Sequence, residues 1–204
     1  RGNGIGFLKK VGITGSIASG KSEVSRYYER KGYPVVYEDE VGHLALRDAH
    51  IMAETVRAFG TSILGVHGDI DRKALGRIVF SDPQALLRLN AIVHPWMIDH
   101  TLARFQVLED AHHPLVFLEA AILFEMGLDA SVDWVIFVDA TRKTRIQRLV
   151  ETRGYDVEEA RKRVMAQRVG RHKSKSHFIL RNEGTLTALH KRCGRLLIVL
   201  LAKE

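Results

Sequence analysis

Short runs of consecutive apolar residues alternate along the chain with longer amphipathic stretches. Val11-Gly12-Ile13-Thr14, opened by Lys9-Lys10, is the first run. Pro34-Val35-Val36-Tyr37, Leu115 to Leu118, Trp134 to Val138 and Phe178 to Leu180 are the next four. Their β-branched and aromatic content, with few polar residues, predicts strands covered on both faces. Pro34 is compatible with the first position of a strand, where its missing N–H need not break a ladder. Glu23 to Arg30 reads as a helix closed by Gly32. Strand and helix in alternation predict an α/β domain built on a parallel sheet.

Between the second and third runs the chain is too long for one crossover. Residues 39–113 read as mostly helical. Asp71 suits the N-cap of a helix over Arg72 to Phe80. Ser81-Asp82-Pro83 then places a cap and an early proline before an amphipathic run to about Asp110. Gly154 to Ser176 is polar and basic, with a short helix over about Val157 to Arg168, and its composition suits a mobile lid. Residues 184–203 read as a last helix on the sheet. The expected organisation is one domain over 8–204, carrying a helical acceptor-binding insertion at about 60–112 and a lid at about 154–176.

Composition narrows the class. A chain of 204 residues with 46% hydrophobic content buries a core without staples. Its one cysteine, Cys193, leaves no internal disulfide or cysteine zinc cluster, which fits a reducing cytoplasm. No apolar run reaches membrane-spanning length, and residues 1–10 carry no secretory signal, Arg1-Gly2-Asn3-Gly4 reading as a flexible lead. Charge is uneven: from Thr141 onward there are 17 Lys and Arg against 6 Asp and Glu, while residues 1–140 hold 14 against 18. The basic third is either a solvated surface or a wall facing a polyanion. Nucleic acid is the weaker occupant, because Tyr155 and Phe178 are the only aromatics after Val138.

Candidate chemistry starts at Gly15-Ser16-Ile17-Ala18-Ser19-Gly20-Lys21-Ser22, which matches the phosphate-binding pattern G-x-x-x-x-G-K-[ST]. Gly15 and Gly20 let the backbone fold around a β-phosphate with its N–H groups turned inward. Lys21 reaches the β- and γ-phosphates, and the Ser22 hydroxyl is placed to ligate Mg²⁺. A strand before the loop and a helix after it are what this mechanism needs. A GTPase also needs Asn-Lys-x-Asp, which is missing, and Asp39-Glu40-Val41-Gly42 follows Lys21 too closely to leave room for a switch loop. The size, helical insertion and basic lid suit a small-molecule kinase. Such an enzyme must keep water from the γ-phosphate, and a closing lid with arginines does so.

Several separated motifs then fall in one family's order. They are Pro34 to Asp39, ending in a D-x-D-like element; Asp71-Arg72-Lys73-Ala74-Leu75 with Val79-Phe80; and Asn90 to Pro95, ending in His-Pro. Glu119-Ala120-Ala121-Ile122-Leu123-Phe124-Glu125, Gln147-Arg148-Leu149 with Arg153, Gln167, and Phe178 to Gly184 follow. On these residues the chain resembles the dephospho-coenzyme A kinase family from about Val11 to about His190. Tyr37 stands where the family has the first aspartate of D-x-D, Glu119 replaces an aspartate, and Ala121 replaces a proline. The stretch from Gln167 to Asn182 is one residue shorter than the family's.

The resemblance implies a P-loop NTPase fold of the nucleoside-monophosphate-kinase kind, with a parallel five-stranded sheet flanked by helices. It implies transfer of a phosphoryl group from ATP, with Mg²⁺, to the ribose 3′-hydroxyl of dephospho-coenzyme A. No nucleic-acid or membrane partner is implied, and the enzyme is expected as a monomer or weak homo-oligomer. A ribose hydroxyl needs a positioned carboxylate to take its proton, and Asp39 is the candidate base, although an aspartate there also suits a helix N-cap. Lys21 and Arg153 join it as catalytic residues. ATP is assigned to Gly15, Ile17, Ala18, Ser19, Gly20, Lys21, Ser22, Glu23, Arg148, Asn182 and Gly184, with Arg148 either stacking on adenine or packing. The acceptor is assigned to Asp39, His43, Arg72, His94 and Glu119, and the metal to Ser22 and Glu119. His94-Pro95 lies within the long helical run, where a proline is expected to kink the helix and free a carbonyl. Arg168, Arg171, Lys173 and Lys175 either contact phosphates on closure or form a solvated face.

Overall fold

In a computed structural model of the chain, residues 8–167 and 169–203 are described. Five strands, β1 (Lys9–Gly15), β2 (Val35–Tyr37), β3 (Leu115–Glu119), β4 (Trp134–Asp139) and β5 (Phe178–Arg181), form one sheet in the order β2-β3-β1-β4-β5. Strand β1 pairs in parallel with β3, Val11 opposite Phe117, and with β4, Ile13 opposite Ile136. The helices are α1 (Lys21–Arg30), α2 (Glu38–Ala45), α3 (Ala49–Phe59), α4 (Arg72–Ser81), α5 (Pro83–Asp110), α6 (Arg142–Arg153), α7 (Val157–Ala166) and α8 (Leu186–Ala202). The chain divides into two compact units. One holds the residues up to Val36 and from Phe105 onward, and the other runs Tyr37–Arg104.

The first unit is the sheet with its covering helices. Val11, Ile13, Phe117, Ile136 and Val138 from the central strands pack with Val24 and Tyr28 of α1 and Leu189, Cys193 and Leu200 of α8. Tyr28 stacks flat on Phe117 at 4.0 Å between ring centroids. Consecutive buried side chains in β3 and β4 explain why these strands read as unbroken apolar runs rather than alternating ones. Helix α1 ends as its glycine predicts. Gly32 takes φ +86°, and the N–H groups of Gly32 and Tyr33 close on the carbonyls of Glu29 and Tyr28 at 2.9 and 3.2 Å.

The second unit is helical around Ile63, Ile70, Leu75, Val79 and Ala85, with Met52, Val56 and Phe59 packed against them. Asp48 and Asp71 cap α3 and α4 through two backbone N–H groups each. The insertion expected at 60–112 lies largely here, together with α2 and α3.

Boundaries differ from the expectations in a few places. Helix α1 starts at Lys21 rather than Glu23, because Gly20 supplies the left-handed turn that opens it. Helix α5 keeps its expected bounds, with Pro95 inside it. Helix α7 stops at Ala166, short of Arg168, which lies outside the described residues, as do residues 1–7. No helix among the described residues is long and apolar enough to cross a membrane.

Candidate active site

The loop after β1 is held in a shape that side chains resist. Gly15 takes φ +151°, and a Cβ there would come within 2.3 Å of the Val138 carbonyl of β4. Gly20 takes φ +99°, and a Cβ there would meet the Asn182 side chain at 2.2 Å. Between them Ala18 sits at φ +57°, a left-handed conformation costing a non-glycine residue about 1 kcal/mol. Tertiary contacts offset that cost. The Arg148 guanidinium donates to the carbonyls of Ala18 and Ser19 at 3.2 Å each and to that of Asn182 at 2.9 Å. Asn182, itself buried, donates its side-chain amide to the Ser19 carbonyl at 2.8 Å. Arg148 and Asn182 therefore brace the loop through its carbonyls. With the carbonyls drawn outward to these donors, the loop and the start of α1 form a cradle suited to anionic oxygens. Lys21 folds back over it, donating to the Gly15 carbonyl at 2.9 Å.

Glu119 ends β3, one strand over from the loop. Its Oε1 accepts the Ser22 hydroxyl at 2.9 Å, while Oε2 is buried with no hydrogen-bond partner among the described residues. A buried carboxylate oxygen without a partner is costly unless a cation completes it. Two hard oxygen donors, one anionic, beside a phosphate cradle fit Mg²⁺, which keeps several of its waters. The Glu23 side chain points elsewhere: it accepts from Arg30 at 3.0 Å and His190 at 2.9 Å. Burial opposes its ionisation, but the hydrogen bonds from Arg30 and His190 outweigh it and hold the carboxyl below its usual range.

The lid segment is docked on the same unit. Ala160 and Val164 of α7 bury against Leu149 of α6, with Ile17 and Ala18 of the loop packed alongside. Gln167 accepts the Ile17 N–H at 2.5 Å, Lys173 donates to Asp139 at the end of β4, and His172 stacks on Phe124 with its Nε2 at 3.1 Å from Glu125. Arg171 and Lys173 thus have internal acidic neighbours, at Glu125 and Asp139. Arg153, the last residue of α6, is exposed and makes no ion pair or hydrogen bond among the described residues. Gly184 lies exposed in the turn before α8. The roles of Gln167 and Asp139 in holding the lid were missed as site features. Asp139 had a usable signal, an acid ending a buried strand as Glu119 does, whereas Gln167, although it matches the family's glutamine, carries no local sign of its bond to Ile17.

In the helical unit Asp39 is exposed at the second position of α2, whose N-cap is Tyr37. The helix starts at Glu38, so Asp39 is not the cap and its carboxylate is not used in that way. His43 is exposed one turn further along the same helix. Arg72 opens α4, exposed and without an ion pair to Asp69 or Asp71 among the described residues; the Asp71 carboxylate is occupied by the cap. His94 is half-buried on α5, and burial lowers its pKa, so at neutral pH it offers a hydrogen bond rather than a charge.

Comparison with known proteins gives these features a family. A sequence model described as dephospho-CoA kinase matches residues 9–188. A protein named dephospho-CoA kinase from Geobacillus kaustophilus is 40% identical over 179 residues, covering 86% of this chain and 88% of its own. Another of that name from Parasynechococcus marenigrum is 36% identical over 190 residues, covering 91% and 95%. A crystal structure from Thermus thermophilus superposes with a TM-score of 0.82 at 34% identity, covering 97% of this chain and all of that one. On these matches the chain belongs to the dephospho-CoA kinases, which carry out the last step of coenzyme A biosynthesis.

Proposed function

We propose that Asp39 is the general base of this kinase, taking the proton from the ribose 3′-hydroxyl of dephospho-coenzyme A as that oxygen attacks the γ-phosphate of ATP. The family fixes ATP as the phosphoryl donor. The bond from the γ-phosphorus to its bridging oxygen breaks, ADP leaves, and coenzyme A carries the new phosphate. Transfer of this kind is almost wholly a matter of position and charge. Lys21 neutralises the β- and γ-oxygens from within the cradle. Arg153, unengaged on the exit of α6, clamps the transferring group as the lid segment at 154–176 covers it.

Ser22 and Glu119 would hold Mg²⁺, which supplies charge neutralisation across the phosphates. Arg148 and Asn182 keep the loop in its strained form, and the turn at Gly184 receives the adenine. Gly15, Ala18 and Gly20 present backbone N–H groups, and Ile17 and Ser19 add theirs once these leave the Gln167 side chain and the Ser16 carbonyl. His43, Arg72 and His94 orient the acceptor. The whole of 8–204 acts as one kinase, with the insertion at about 60–112 giving the acceptor its site. It works in the cytoplasm as a monomer or weak homo-oligomer, without nucleic acid.

The observation that carries this reading is the Ser22–Glu119 hydrogen bond with the second Glu119 oxygen left bare beside a phosphate loop. A coupled ADP-release assay with MgATP tests it, comparing dephospho-coenzyme A with AMP, CMP and adenosine. Turnover is expected with dephospho-coenzyme A alone, falling about 10² to 10⁴-fold in Asp39→Asn. Turnover with a nucleoside monophosphate instead would reject the acceptor assignment, and an active Asp39→Asn would reject the base.

A further inference from the structure

Glu38 opens α2 and is only 3% exposed, an unusual place for a carboxyl group. Its Oε2 accepts the hydroxyl of Thr101 on α5 at 3.0 Å, and Thr101 is itself fully buried. Its Oε1 is buried and has no hydrogen-bond partner among the described residues. A second contact between the two helices lies one turn beyond this tie. Gly42 faces Met97, and a Cβ at Gly42 would come within 3.3 Å of the methionine's terminal methyl. Glu38 is thus a polar tie from the N-terminal end of α2 to α5.

Such a site favours the uncharged acid, because an ionised carboxylate there has one oxygen with nothing to bind. Burial pushes the Glu38 pKa up, the Thr101 hydroxyl opposes this, and the adjacent Asp39 charge adds to it, leaving a value of about 7. Of the titratable groups on α2 and α5, Asp39 alone acts on it. The resemblance gives this placement meaning. Tyr37 occupies the position of the family's first aspartate, and the chain carries its second acid one residue later, indoors, immediately before Asp39.

We propose that Glu38 is a positioning residue for Asp39: held as the neutral acid against Thr101, it fixes the first turn of α2 and adds no charge beside Asp39, Glu40 being the other acid of that turn. The inference rests on reading Asp39 as the base. Ionised Glu38 strains its own pocket and repels the neighbouring carboxylate, so turnover is highest while Glu38 keeps its proton and declines as it is lost.

The test is kcat at saturating MgATP and dephospho-coenzyme A from roughly pH 5.5 to 9 for wild type, Glu38→Gln and Thr101→Val. Wild type is expected to lose turnover as pH rises through neutrality. Glu38→Gln, isosteric and unable to ionise, keeps acid-side turnover within about threefold and loses that descent. Thr101→Val removes the hydroxyl that favours the charged form, so the descent moves to higher pH, which loss of packing alone would not cause. Carbon-13 NMR of the Glu38 carboxyl in the unliganded protein reads the same titration without catalysis. A Glu38→Gln profile that overlays wild type, or a carboxyl titrating in the ordinary glutamate range, overturns the proposal. Asp39→Asn, assayed alongside, reports separately on the base. If it stays active, that reading fails while the Glu38 titration still stands or falls on its own.

Discussion

Glu119→Gln separates a metal ligand from a carboxylate that only holds Ser22. The amide oxygen can still accept the Ser22 hydroxyl, so the 2.9 Å hydrogen bond and the end of β3 survive the change. What is lost is the charge and the bare oxygen. Mn²⁺ affinity in the presence of ATP, followed by paramagnetic resonance, is expected to fall by about 10 to 100-fold, and unchanged affinity would remove Glu119 from the metal site. Glu38 makes a second prediction at this scale, through stability. Its folded pKa, about 7, lies above the model-compound value of 4.5, so the native state holds a proton that the unfolded chain releases between them. Its contribution to stability is therefore complete below the lower value and is lost as pH rises to the higher one. In urea melts Glu38→Gln should lose this component of the pH dependence and exceed wild type above neutrality. A wild-type curve that rises through the same window relative to Glu38→Gln would reverse the sign and reject the buried acid. The metal role of Glu119 was read from the sequence, whereas the burial of Glu38 was not legible there. Glu38 there is one acid of a Glu-Asp-Glu run, and its burial follows only from where α2 lies against α5.

Among the elements, the strands and most helices could be read directly, because their signals are local. Apolar runs marked β1, β3 and β4, and Asp71 and Asp82 supplied caps whose side chains accept the expected backbone N–H groups. The lid was read as a mobile polar segment, and its docking was not legible. Ala160 and Val164 are two of five apolar positions in a charged helix, and they are the two buried against α6. Its other ties, Gln167 to Ile17, Lys173 to Asp139, His172 to Phe124 and Glu125, and Arg171 to Glu125, join residues more than thirty positions apart. A helix held by so few contacts should open as a unit. Val164→Ala removes two buried methyl groups and should weaken this docking by about 2 kcal/mol. Amide exchange over Val157–Ala166 would then quicken by roughly 30-fold while β1 and β4 keep their protection. Equal acceleration in the central strands would mean that the lid is part of the global fold and does not open separately.

At the scale of the molecule, the division at Tyr37 and Arg104 sorts the proposed chemistry. The cradle, Glu119, Arg148, Asn182 and the lid belong to the sheet unit, whereas Asp39, His43, Arg72 and His94 belong to the helical one. The sequence placed helices at 39–113 but gave no reason to start the second unit inside β2, since that boundary depends on which contacts α2 and α3 choose. If donor and acceptor sites are built from separate units, their ligands should protect separate parts of the chain. MgATP at about a hundred times its Kd stabilises the state that binds it by about 2.7 kcal/mol. Its effect on amide exchange is expected first at the loop after β1, the start of α1 and the turn at 182–184. Dephospho-coenzyme A alone should instead slow exchange in α2, at the start of α4 and around His94. Protection of the loop by the acceptor and of α2 by ATP would exchange the two assignments and move Asp39 out of the acceptor site. The predicted pattern would place the base with the hydroxyl it deprotonates before the two substrates are ever present together.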